Sequence, residues 1–107
     1  MEADGLKLVR SNWSDTILIC KKCSKRLDGG FGPKGRTPLA KALRKHLGLK
    51  KGRKGRAGVV EVKCLGVCPR GAVTVVEGAA PKTWMLIKAG GDLDEIAAAL
   101  NLAPDAG

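Results

Sequence analysis

Aromatic side chains are almost missing from this chain. Trp13, Phe31 and Trp84 are the only three in 107 residues, and there is no tyrosine. The core must therefore be aliphatic, built from Leu, Ile, Val and Ala. No apolar run approaches the roughly 20 residues that a membrane-spanning helix needs. The opening MEADGLKLVRSNW lacks the basic-then-apolar layout of a signal peptide, and a cytoplasmic location is expected. Acid is scarce where base is dense. Between Lys21 and Arg56 fourteen Lys and Arg face a single acid, Asp28. After Lys88 the balance inverts to four acids and no Lys or Arg.

What is present is the make-up of one small globular domain. The composition is 44% apolar and 28% charged, with a formal net charge of +10, unlike a disordered chain. Length allows one modest core. Residues 1–12 are expected to form a flexible leader and 13–103 the domain, with a basic loop over 49–58. A charge excess of this kind attracts nucleic acid, acidic membranes or acidic proteins, and says little about fold.

Patterning supplies the elements. TILIC (16–20) is a short β-branched run and predicts a buried strand. KKCSKRLDGGFGPKGR, rich in glycine and charge, predicts loop. TPLAKALRKHLG then carries helix signals, with Thr37 at the N-cap and Pro38 at the first helical position. Leu39, Ala42, Leu43 and Leu47 share its apolar face, and His46 falls near the middle of that face as a packed, hydrogen-bonded histidine. GVVEVK, AVTVVEG and KTWMLIK predict three further strands, the last two a hairpin. Trp84 is expected between sheet and helix. GDLDEIAAALN predicts a closing helix capped by Asp92, with Leu93, Ile96, Ala97 and Leu100 buried. The order β-α-β-β-β-α describes an α/β layer with helices packed on a mixed four-stranded sheet.

Four cysteines carry the chemistry. They stand as Cys20-x-x-Cys23 and Cys64-x-x-x-Cys68, each pair starting where a strand ends. The first two strands flank a helix, so they should be parallel neighbours with both junctions at one end of the sheet. Four thiols would then converge. Four convergent thiolates suit tetrahedral zinc or an iron–sulfur cluster. Lys21, Lys22, Lys63 and Arg70 stand beside them and favour the thiolate form. Buried packing is one alternative. A thioredoxin-type redox couple at Cys20 and Cys23 is another, although no helix is expected directly after that CxxC.

At these residues the chain resembles a family. Cys-Leu-Gly-Val-Cys, the strand AVTVVEG, a Trp-bearing strand and an acid-capped final helix resemble the thioredoxin-like [2Fe–2S] ferredoxins, relatives of the thioredoxin-like subunit of respiratory complex I. With TILIC and the first helix, the resemblance covers about 80 residues. It implies a thioredoxin-like ferredoxin fold, a [2Fe–2S] cluster held by Cys20, Cys23, Cys64 and Cys68, one-electron transfer and frequent homodimers. No enzymatic turnover is implied. The first pair is tighter than is usual in the family, which leaves zinc open as the metal. Most such ferredoxins are acidic and this chain is basic, so the expected redox partner is an acidic protein.

Two further stretches invite chemistry. GGFGPKGRT approaches a phosphate loop, but Arg36 stands where Lys belongs and Pro33 removes an N–H. Incidental anion binding at the following helix is the better expectation. KKGRKGR offers Lys50, Lys51, Arg53, Lys54 and Arg56 to nucleic-acid phosphates, which would suit a zinc-stabilised basic module. No aromatic residue stands near it in sequence, which argues against single-strand stacking.

Overall fold

The computed structural model describes residues 5, 7–50, 52–67 and 69–102. Its elements are β1 (Asp15–Cys20), α1 (Lys21–Arg26), β2 (Gly30–Phe31), β3 (Thr37–Pro38), α2 (Leu39–Leu47), β4 (Ala57–Val62), β5 (Ala72–Glu77), β6 (Met85–Lys88) and α3 (Leu93–Ala99). A single 3-10 turn, Gly52–Lys54, precedes β4.

β1 and β5 are the two inner strands, which is why their sequences are almost unbroken apolar runs. The order is β4-β1-β5-β6. β4 lies parallel to β1, from Asp15 opposite Ala57 to Cys20 opposite Val62. β5 runs antiparallel to β1, and β6 pairs back onto β5 as the expected hairpin. All six residues of β5 are buried, whereas β6, at the edge, alternates between half-buried and exposed. The mixed four-stranded sheet predicted from sequence is present. No helix among the described residues is long and apolar enough to cross a membrane.

Helices α2 and α3 cover the sheet with the side chains their periodicity assigns. Leu39, Ala40, Ala42, Leu43 and Leu47 are buried on α2, and Ile96 and Ala97 on α3. They meet Ile17, Ile19, Val73 and Val75, all fully buried, in the aliphatic core that the missing aromatics require. Asp92 caps α3 as predicted: its carboxylate accepts the N–H of Asp94 at 3.2 Å. Asp92→Ala is expected to cost about 1 kcal/mol, read as a lower urea midpoint with an unchanged slope.

Four expectations are corrected. The segment after Cys20 is not all loop: residues 21–26 form α1. They contain neither Gly nor Pro, and the breakers begin only at Gly29. Thr37 does not cap α2. It pairs with Phe31, and Pro38 with Gly30, in a two-residue ladder that holds both extended, so α2 starts at Leu39. Phe31 is fully buried, and its anchoring outweighs the capping preference. His46 is not on the apolar face; it is exposed and its Nε2 lies 2.7 Å from Asp94 Oδ1, tying α2 to α3. Trp84 is 41% exposed. Its indole N–H donates to the Pro81 carbonyl at 2.9 Å, which turns the ring back on its own turn and away from the core.

Candidate functional site

The parallel register decides where the thiols go. Cys20 ends β1 opposite Val62, so Cys64 lies two residues past that partner, at the same end of the sheet. Cys20 is also the residue from which α1 springs, and the first turn of α1 carries Cys23 inward. Cys20 and Cys23 are both buried, whereas Cys64 is exposed. Cys68 lies outside the described residues.

The loop bearing Cys64 is seated on the first pair. Cys23 Sγ lies 3.7 Å from the Val67 carbonyl and 4.0 Å from Thr74 Oγ1. Thr74, fully buried in β5, donates to that same Val67 carbonyl at 3.0 Å. One hydroxyl therefore fastens the loop to the sheet beside the sulfur. Gly66 turns its N–H to Cys64 Sγ at 3.4 Å. On α1, the buried Ser24 hydroxyl donates to the Cys20 carbonyl at 3.3 Å.

The two buried thiols differ in acidity. Burial pushes Cys20 up, but the backbone N–H groups of Cys23 and Leu65, the Cys23 thiol and the Lys22 N–H outweigh it, and the net shift is downward. None of these closes a formal side-chain cap on α1; they act on the sulfur as oriented dipoles. Burial pushes Cys23 up. Contacts with Thr74 pull the other way, and the neighbouring Cys20 sulfur adds to the rise. Of the two buried thiols, Cys20 is thus the more acidic and Cys23 the less acidic.

The donor chemistry fits a thiolate-held metal group in kind: soft sulfur ligands, backbone N–H groups aimed at them, and Lys21, Lys22 and Lys63 exposed around them. The structure brings Cys20 and Cys23 together and lays the Cys64 loop over them. It does not bring three donors into one sphere: among the described residues no group of three His, Cys, Asp or Glu is placed to hold a metal ion.

The basic stretch is differently placed than its sequence suggests. Lys50, Arg53, Lys54 and Arg56 are exposed, while Lys51 lies outside the described residues. The stretch runs against residues 12–14. Asn12 N–H donates to Arg53 O at 2.7 Å and Ser14 N–H to Arg56 O at 2.8 Å. Between them the Trp13 indole N–H donates to Gly52 O at 2.8 Å. An aromatic ring therefore does stand in the basic stretch, supplied from about forty residues away. Sequence reasoning missed this and also missed Thr74, whose only signal was a hydroxyl in the middle of the apolar run AVTVVE. The glycine-rich GGFGPKGRT is a tight hairpin, closed by Gly30 N–H to Gly35 O at 3.1 Å, and is not the strand–loop–helix of a phosphate loop.

No family model matches the chain, and comparison with curated proteins and with solved structures returned no match.

Proposed function

We propose that the protein is an electron carrier of the thioredoxin-like ferredoxin type, with a [2Fe–2S] cluster held through Cys20, Cys23, Cys64 and Cys68. The observation that carries the reading is the Cys64 loop lying on the sulfurs of Cys20 and Cys23. The sheet order β4-β1-β5-β6, with the thiols at the shared end of two parallel strands, supports the thioredoxin-like fold. When bound, such a cluster supplies reversible one-electron transfer.

The chain's own residues prepare for it. The N–H groups of Leu65, Cys23 and Lys22 stabilise negative charge on Cys20, and the Gly66 N–H points at Cys64 Sγ. Thr74 holds the loop in place through the Val67 carbonyl. The exposed lysines around the site offset the charge of thiolates and steer an acidic redox partner, with an association rate that falls as salt rises. Carriage of this kind needs no substrate pocket.

A second reading is favoured by one specific observation. α1 starts at Lys21, immediately after Cys20, with the pKa of Cys20 lowered and that of Cys23 raised. That asymmetry suits a dithiol in which Cys20 attacks a disulfide and Cys23 resolves the mixed disulfide.

One preparation separates these readings. The full chain, purified without oxygen, is expected to be brown and to contain about two iron and two sulfide per chain. A colourless protein with stoichiometric zinc points instead to a structural site in a basic module. Neither metal, even after reconstitution, together with reduction of a test disulfide that Cys20→Ser abolishes, establishes the dithiol.

A further inference from the structure

Trp13 sits at the other end of β1 from the thiols, about 20 Å away along six residues of strand. Its ring lies flat on Gly58, the second residue of β4: a Cβ at position 58 would overlap Cζ3, Cε3 and Cη2 of the indole. Glycine at 58 is what lets the ring lie down on the edge strand. Trp13 remains 36% exposed. It borders two depressions, one of about 430 Å³ and one of about 270 Å³.

Cations line both. On one side are Arg44 and Lys50, on the other Arg10 and Arg53, against the single acid Glu61 at the far end of the larger depression. The frame is rigid where it matters. Arg44 donates to Val59 O at 2.6 Å, which still leaves further guanidinium N–H groups. Arg53 reaches Arg10 O at 3.3 Å. The indole is locked by its bond to Gly52 O.

We propose that this surface binds single-stranded nucleic acid, with one base stacked on Trp13 and the flanking phosphates on Arg10, Arg44, Lys50 and Arg53. A flat, fixed ring between two sets of cations is the arrangement that single-strand binding uses, because every base has a π-face and the backbone carries the charge. An acidic protein would be drawn by the same charges, but would have no use for an exposed indole clamped flat on a backbone. A duplex keeps its bases stacked and could not reach the ring. The surface is independent of the metal reading, since it lies at the opposite end of the sheet.

The test uses the full chain and a fluorescein-labelled oligo(dT) of about twelve nucleotides, within the span of one such surface. Anisotropy should show saturable binding, with a log–log salt slope of about −3 for four phosphate contacts. Trp13→Ala should weaken binding about tenfold and Trp13→Phe much less. Arg53→Glu should weaken it and flatten the salt slope. In a Trp84→Phe protein, Trp13 is the sole tryptophan, and the oligonucleotide should quench its emission; this measurement decides the matter if Trp13→Ala fails to fold. The parent should bind equally whether prepared with or without the metal group, so a failed metal reading leaves the result unaffected. Absence of saturable binding, or binding without quenching, overturns the proposal. So does tighter binding of the corresponding duplex, or of polyglutamate, which would make the surface one for double strands or for acidic proteins.

Discussion

Cys20→Ser, purified without oxygen beside the parent and reconstituted identically, is expected to lose the visible chromophore and the bound iron and sulfide altogether. The serine oxygen keeps the size of the group but is a hard, weakly acidic donor where a soft thiolate is needed. The sulfur lost is also the one that the surrounding N–H groups of Cys23, Leu65 and Lys22 are aimed at. Cys23→Ser removes a thiol whose pKa burial has already raised, and is expected to leave a weaker, more labile centre. If Cys20→Ser stays brown with parental iron and sulfide, Cys20 is not a ligand and the ferredoxin reading falls.

The same asymmetry gives a pH dependence in the metal-free protein. Cys20 is lowered on folding, so its contribution to stability is present above the ordinary thiol pKa and is lost as pH falls through its folded value. Cys23 is raised, so its contribution is present below the ordinary value and is lost as pH rises through its folded value. The thiol contribution therefore peaks near the ordinary thiol pKa, about 8.5. Subtracting the stability curves of Cys20→Ser and Cys23→Ser from that of the parent should isolate the rising and the falling limb respectively. Both thiols are buried, so once the pair opens to solvent at neutral pH an alkylating reagent should react with Cys20 faster than with Cys23.

The strands were legible because β-branched runs bounded by glycine and charge leave few alternatives, and the parallel placement of β1 and β4 followed from the helix between them. That placement carried Cys20 and Cys64 to one end of the sheet. α1 was hidden because a short run of helix-compatible residues stands directly before a glycine-rich hairpin, and composition averaged over the whole segment reads as loop. His46 was misplaced because its spacing from Leu39 and Leu43 suggests the apolar face, whereas the closing helix offers Asp94 on the outer side. Trp13 meeting the basic stretch had no local signal at all. The contact is made by backbone bonds between residues 12–14 and 52–56 and by a glycine at 58, and none of these marks the sequence with a period or a motif.

Gly29→Ala is expected to destabilise the fold by about 3 kcal/mol or more, the largest loss of any single methyl addition in the hairpin. Two costs combine. Gly29 has φ +91°, in the region that side chains adopt only at about 1–2 kcal/mol. Its Cβ would also overlap the Arg36 carbonyl and the Thr37 nitrogen. Those are backbone atoms, and they cannot swing aside as a flexible side chain would, so overpacking of about 1–3 kcal/mol is added. Relief would require opening the β2–β3 ladder, which holds Phe31 in the core and sets the start of α2. It would also disturb the bond from Gly29 N–H to Ser24 O at 3.0 Å, which joins the hairpin to the helix carrying Cys23. The control is Gly35→Ala in the same hairpin. Gly35 has φ +67° and nothing within 4 Å of the position an added methyl group would take, so only the conformational cost of about 1–2 kcal/mol applies. Urea unfolding of the two variants measures the difference directly. Equal losses would mean that the hairpin yields at Arg36 and that its crowding does not hold α1; a loss at Gly29 greater by about 1–3 kcal/mol, with faster alkylation of Cys23, would tie the hairpin to the thiol site.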